Sequence, residues 1–488
     1  MRYDPFDPDF QSDPYPAYRA LRDADPVHRH ESPHYWALSR FADIWEAVRD
    51  PGTWSSAQGL TFFPDEITAL GLAPTIVMLD PPRHSMLRRL VSAGFTPRRI
   101  GGMEELLRAF VRERLALMER KAADGRIPDL HRDYASPLPT FALAHLLGVP
   151  EADRTRFDPW VSALTTIQDE GLKLDDEAAV TAVAEMFEYF GAVITARRAD
   201  PGDDLISALT AAEVEGERLT DWDILGFCFV MVAGGNDTTG NLISHGVMLL
   251  DADHAQRELL VADPSLIPNA LMEFLRLEGS VQALARTTTR PVVLHDVEIP
   301  EGEKVMMLYG SAGRDEREYG PTAGDLDITR SIGRHLGFAS GVHFCIGSHL
   351  AKLQARIALE ELYSRHPHIG VDLSTAERIS SPFTRGWHSL PATGLLPSLP
   401  AGPGRRAVAT HLGPARRGPR MDGRKRSEPA GAHTTRQSGP GHLFACASEA
   451  RGAPGLAEGQ CAMRRARSVP SGGRRTGVRA GTAMTVGP

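Results

Sequence analysis

Among 488 residues, the densest run of chemically useful groups is Phe338-Ala339-Ser340-Gly341-Val342-His343-Phe344-Cys345-Ile346-Gly347. Cysteine binds metal as the thiolate, which is favoured where the unpaired N–H groups and dipole of a starting helix meet it. A helical pattern begins near Ile346 and runs to Ser364, so Cys345 stands at such a start. Gly341 and Gly347 would let the backbone approach a flat, bulky partner, and Phe338 would screen the sulfur from water. A lone cysteine is more often a small buried apolar residue. The spacing of the whole run argues for a ligand instead. Zinc at Cys345 and His343 fails, because a structural zinc needs a fuller ligand set.

A second run, Gly234-Gly235-Asn236-Asp237-Thr238-Thr239, interrupts an otherwise apolar helical segment. Glycine costs about 1 kcal/mol against alanine inside a helix, and buried carboxylates and hydroxyls need partners. Threonine hydroxyls bond back to preceding carbonyls and bend helices, which opens a groove for a small ligand. One helix with a local distortion is expected here, rather than a boundary capped by Asp237. Glu273-Phe274-Leu275-Arg276 sets a carboxylate and a guanidinium at i,i+3, in isolation an ordinary surface pair. His84 and Arg88 share a helical face at i,i+4.

Phe338-x-x-Gly341-x-His343-x-Cys345-x-Gly347 resembles the heme-binding loop of cytochromes P450, and the other runs follow in that family's order. The resemblance covers nearly all of residues 1–397. Within it, the likeness is to soluble actinobacterial members, through Ala285-Arg286-Thr287-Thr288-Thr289-Arg290 and the GGNDT run. It implies a mainly α fold with small β-sheets and a heme b whose iron takes Cys345 as its axial thiolate. Phe338, Gly341, His343 and Gly347 would belong to the loop around the heme. Asp237 and Thr238 match the acid–alcohol pair that delivers protons to iron-bound O2. His84, Arg88, Arg286 and His335 match the groups that hold the heme propionates. Glu273 and Arg276 match the pair that braces the cysteine loop, with Arg330 as third partner and Arg334 in reserve. Three departures stand out: Ala339 for a commoner glycine, tolerable if its φ is negative, Gln354 for an acidic residue, and Gly313 for asparagine.

The implied activity is monooxygenation: one atom of O2 enters a mostly apolar small molecule and the other leaves as water. No flavin or iron–sulfur module accompanies the body, so electrons from NAD(P)H would arrive through a ferredoxin reductase and a ferredoxin. Arg89, Arg98, Arg99 and Lys352 are candidate docking cations. Two rivals are a peroxide-driven peroxygenase, which usually lacks the acid–alcohol pair, and a heme-binding sensor or carrier without turnover. Pocket walls expected from the family architecture are Thr61 to Ile76, Trp160–Gln168 with Met186–Phe190, Val232, Gly235, Gln282–Ala285 and Pro382-Phe383.

These groups need long elements to position them. Asp221 and Asp223 open an apolar segment reaching Leu250; some thirty helical residues would span about 45 Å. Helices are expected over Ala42–Arg49, His84–Lys121 with a break near Thr96-Pro97, Pro139–Leu147, Arg154–Gln168, Asp176–Arg198, Leu205–Val214 and Leu271–Leu277. Strands are expected at His34–Leu38, from Ile76, at Val292–Ile299 and at Lys304–Leu308. Residues 401–488 hold 16 basic and 4 acidic side chains and one aromatic, leaving 38 basic against 58 acidic in the body. The expected division is a heme domain, 1–398, and a basic Gly/Pro/Arg-rich disordered tail, 399–488. An acidic body argues against nucleic acid as ligand. No apolar run reaches the roughly 20 residues of a membrane span. The first residues do not read as a signal peptide, and Cys228 and Cys345 are the body's cysteines, so a cytoplasmic setting is expected.

Overall fold

A computed structural model describes residues 3–63, 74–92, 95–157, 159–161 and 177–395, all inside the unit Met1–Gly404. The expected tail, 399–488, lies outside the described residues. Helices dominate. They include Phe41–Ala47, Arg83–Ser92, Pro97–Gly101, Glu104–Ala123, Pro137–Leu146, Glu177–Ala199 and Ile267–Leu277. The expected break at Thr96-Pro97 is there because the Thr96 hydroxyl caps a new helix, accepting from Arg99 N. Of the helix expected over Arg154–Gln168, Glu151–Arg156 is a 3₁₀ stretch and residues 162–168 lie outside the described set. Among the described residues, no helix is long and apolar enough to cross a membrane.

The long segment is capped by Thr220, one residue earlier than expected: its side chain accepts from Asp223 N, and Asp223 accepts from Thr220 N. It runs as Asp221–Gly235 and Asp237–Ala252, parted at Asn236, whose φ of −84° and ψ of −67° stay near helical values. The Asn236 Nδ2 donates to the Val232 carbonyl at 2.9 Å and the Thr238 Oγ1 to that of Gly234 at 2.9 Å. Two side chains thus occupy carbonyls of the helical ladder and distort it locally.

Two expectations shift. Ile76–Met78 is a turn of 3₁₀-helix rather than a strand, and Ile76 and Val77 border a cavity. The helix over Leu205–Val214 stops at Ala211, because Glu213–Val214 pairs with Glu217–Arg218 around Glu215 and Gly216 at positive φ.

The main sheet joins β1 (Val27–Glu31), β2 (His34–Leu38), β3 (Trp54–Ser55), β4 (Ala283–Thr288) and β5 (Lys304–Leu308) in the order β1-β2-β5-β4-β3. The β2–β5 pair is parallel and the others antiparallel. Every residue of β5 is buried, as an inner strand covered on both faces must be. The expected strand Val292–Ile299 is a hairpin of Val292–Leu294 and Val297–Ile299. One apolar core fills the space between the helices, and a second, with Phe10, Tyr35, Phe41 and Val305, sits at the sheet.

Candidate active site

The cysteine loop is held by its own backbone. Cys345 N donates to the Phe338 carbonyl at 3.0 Å, Ala339 N to Leu336 at 2.8 Å, and Phe344 N to Gly341 at 3.1 Å. The helix Ser348–Arg365 follows with Gly347 as its N-cap, so the sulfur meets the first amides. Burial raises the Cys345 pKa, while the amides of Gly347 and Ser348 and the Arg88 guanidinium pull it back by favouring the thiolate. Phe338 borders the same cavity as the sulfur. Gly341 is needed for a different reason than expected: at φ +70° its α-carbon faces the Val48 carbonyl and Arg49, where a Cβ has no room. Ala339 also contradicts expectation. Its φ is +55°, in the left-handed region, where its Cβ is strained.

A cavity of about 310 Å³ opens above Cys345. Leu143, Phe227, Val230, Met231, Leu242 and Leu284 give it an apolar lining, and Gly234, Gly235, Thr238 and Thr239 bring the distorted helix to its edge. Thr238 and Cys345 therefore share one space. Asp237 does not: it is half-buried and stands outside the lining, since one residue turns a side chain by about 100° around a helix. The Ser280 hydroxyl donates to the Thr238 carbonyl at 3.2 Å and ties the distortion to the next segment.

Basic and imidazole groups gather at the cavity's margin. His84 and Arg88, on the helix Arg83–Ser92, both line it, and the His84 ring lies 4.2 Å from that of His343. Arg88 Nη2 donates to the Phe344 carbonyl at 2.6 Å. Burial, then the charges of Arg286, His84 and Arg88, push His343 down to about 3, so its ring is neutral and its Nε2 meets the Ser56 hydroxyl at 3.2 Å. His84 is buried, and its Nδ1 has no hydrogen-bond partner among the described residues. Arg286 and His335 stand behind the lining rather than in it: Arg286 Nη1 donates to the Ala285 carbonyl at 2.7 Å, and the His335 Nδ1 accepts from Gly337 N at 3.2 Å.

The cytochrome P450 family profile matches residues 261–368. Cytochrome P450 130 of Mycobacterium tuberculosis is 46% identical over 367 residues, covering 73% of this chain and 89% of that protein. The chain belongs to the cytochrome P450 family. A vitamin D(3) 25-hydroxylase of Pseudonocardia autotrophica is 35% identical over 400 residues, covering 80% of this chain and 96% of that one. The solved P450 structure of CYP109Q5 from Chondromyces apiculatus superposes with a TM-score of 0.73 at 30% identity, covering 81% of this chain and 98% of that one. This P450 is a monooxygenase that uses heme iron and O2.

In this P450 the brace is complete. Arg276 Nε and Nη2 each donate to Glu273 at 2.6 Å, and Arg330 Nε adds a bond at 3.1 Å. Arg334 pairs with Glu318 instead, so Arg330 is the third partner. Gly313 fits because a Cβ there would run into the Arg276 carbonyl. Gln354 is buried and borders the cavity, its Oε1 without a partner among the described residues.

Several expected walls are elsewhere. Met186 and Phe190 pack with Phe157 and Trp160 in the helical core, and Val232 is core while Met231 takes the cavity. Phe383 packs against Phe62 at a tilt and against Phe63 edge to face. Thr61–Phe63 are described, while residues 64–73 and 162–168 lie outside the described set. Leu143, Leu242 and Tyr309 line the cavity without any sequence expectation; Tyr309 had a readable signal, a polar residue closing an apolar strand.

Proposed function

We propose that this P450 oxidises a largely apolar small molecule with electrons from NAD(P)H, passed through a ferredoxin reductase and a ferredoxin, and that Cys345 is the thiolate ligand of its heme. What carries the reading is one cavity bordered by Cys345 at a helix start and by Thr238 at a helix distortion, with a mostly apolar wall and a basic and imidazole margin at His84, Arg88 and His343. The residues present suit the heme. Its flat apolar ring matches the lining, and its propionates match a margin where buried His84 and half-buried Arg88 line the cavity with buried Arg286 behind them, the His84 Nδ1 having no partner among the described residues.

Bound heme supplies the iron chemistry by which one oxygen atom is transferred from O2 to the substrate. As the iron's ligand Cys345 would carry its thiolate charge beside the amides of Gly347 and Ser348, which oppose the burial that raises its pKa, and Phe338 would keep water from it. His84, Arg88, Arg286 and His335 hold the propionates, with Gly341, His343 and Gly347 shaping the loop. Thr238 holds a proton at Oγ1 on the cavity side, oriented by its bond to Gly234. Asp237, outside the lining, takes up protons for its neighbour to pass inward. Arg89 pairs with Glu215 and Arg99 with Asp203, which shifts the ferredoxin-docking role to Arg98 and Lys352. Charge reversal at those two residues with unchanged electron-transfer rates would remove that assignment. Residues 1–398 form the heme domain in this reading, residues 399–488 a separate tail, and the setting is the cytoplasm.

The purified protein is reduced under carbon monoxide. A Soret band near 450 nm, about the position thiolate ligation implies, supports the reading. A band at the position of a histidine-ligated heme sinks it, and substrate-dependent NAD(P)H consumption with surrogate redox proteins separates turnover from simple carriage.

A further inference from the structure

We propose that the Tyr309 phenol is a further heme anchor, donating a hydrogen bond to the propionate that Arg286 holds. The inference rests on the heme-thiolate reading above. Tyr309 is 6% exposed, lines the cavity beside Cys345 and His84, and its hydroxyl has no hydrogen-bond partner among the described residues. Buried hydroxyls are rarely left so, because the water they give up must be replaced.

Arg286 presents the complementary problem. It is 4% exposed, yet among the described residues no carboxylate lies within ion-pair distance of it. A buried guanidinium without an anion is costly, so its counter-charge comes with a ligand. Arg286 shares a strand face with Leu284, which lines the cavity together with Tyr309. In the antiparallel β4–β5 pair, Arg286 faces Val305 and Leu284 faces Met307, which puts these four on one face. Tyr309 follows two residues after Met307, and both Tyr309 and Leu284 border the cavity. Burial raises the Tyr309 pKa and the Arg286 charge lowers it, so the two are within electrostatic reach. A carboxylate between them accepts from phenol and guanidinium at once, a charge-assisted arrangement stronger than a neutral pair. An apolar substrate has no use for the cation, which is why the heme edge is favoured over a substrate oxygen.

The test compares heme-loaded wild type with Tyr309→Phe. Transfer of heme to excess apomyoglobin is expected to be about tenfold faster in the variant, the scale of one lost hydrogen bond to a charged group. Far-UV circular dichroism is expected to be unchanged, and so is the affinity for a neutral azole that ligates iron from the cavity. Heme loss at the wild-type rate overturns the proposal. So does weakened azole binding with unchanged heme loss, which would make Tyr309 a ligand-contacting group. A wild-type protein lacking the thiolate spectrum would instead bring down the reading on which the proposal stands, and the proposal with it.

Discussion

Replacing Glu273 by glutamine is expected to destabilise the protein by about 3–5 kcal/mol, the cost of leaving one partner of a buried ion pair uncompensated. The carboxylate accepts four hydrogen bonds: two from Arg276 at 2.6 Å, one from Arg330 at 3.1 Å and one from Asp327 N at 3.1 Å. Both side chains of the central pair are 0% exposed. Glutamine keeps the volume but turns an amide NH2 toward a guanidinium that only donates. Arg276 would retain its bonds to the carbonyls of Gly313, Ala323 and Asp325, which temper the loss without neutralising the charge. Set against a total stability of roughly 5–15 kcal/mol, the change is large. Arg334→Ala is the internal control. Its pair with Glu318 is 42% and 20% exposed, so its loss is expected to cost less than about 1 kcal/mol. Urea unfolding is followed by far-UV circular dichroism and by the Soret band. The two signals should fall together in Glu273→Gln, because Arg276 anchors the segment that leads into the cysteine loop. A variant within about 1 kcal/mol of wild type, or an Arg334→Ala that costs as much, would refute the reasoning.

Ala339→Gly is expected to raise the urea midpoint, relieving about 1 kcal/mol of left-handed strain at φ +55°; a lower midpoint would mean the loop is not strained there. Thr238→Val keeps heme content while substrate oxidation per NAD(P)H consumed falls by at least about tenfold, read as product against cofactor oxidation; unchanged coupling would remove Thr238 from proton delivery. His131 and His245 are each held down to about 4, mainly by burial. Below the ordinary histidine value the unfolded chain binds protons that the folded one refuses, so stability falls as pH drops from about 6.5 toward about 4. His245→Asn should flatten that slope in urea titrations across the window, and an unaltered slope would show that His245 does not contribute. Deleting residues 399–488 is expected to leave heme content and unfolding midpoint intact, and a collapse of either would tie that segment to the body.

The cysteine loop was legible from sequence because its logic is local: Cys345 N reaches the Phe338 carbonyl, and the helix N-cap, Gly347, lies two residues on. The distortion at Asn236 was legible for the same reason, since Thr238 and Asn236 bond to carbonyls four residues back. Strand Lys304–Leu308 and most helices followed from composition and period. The hairpin at Glu213 did not, because two-residue strands carry too little pattern to outweigh a neighbouring helix.

What the sequence determined by itself is the family and the set of candidate groups, since Cys345, Thr238 and the Glu273–Arg276 pair stand in short runs whose bonds close within a turn or a loop. Only the tertiary structure decided how those groups are shared out. It chose Arg330 over Arg334 for Glu273, gave Met231 rather than Val232 to the cavity, spent Arg89 and Arg99 on carboxylates, and turned Tyr309 inward. The reason is geometric. A turn of about 100° per helical residue, or a partner dozens of residues away, decides what a side chain faces, and neither is encoded in the run that holds it.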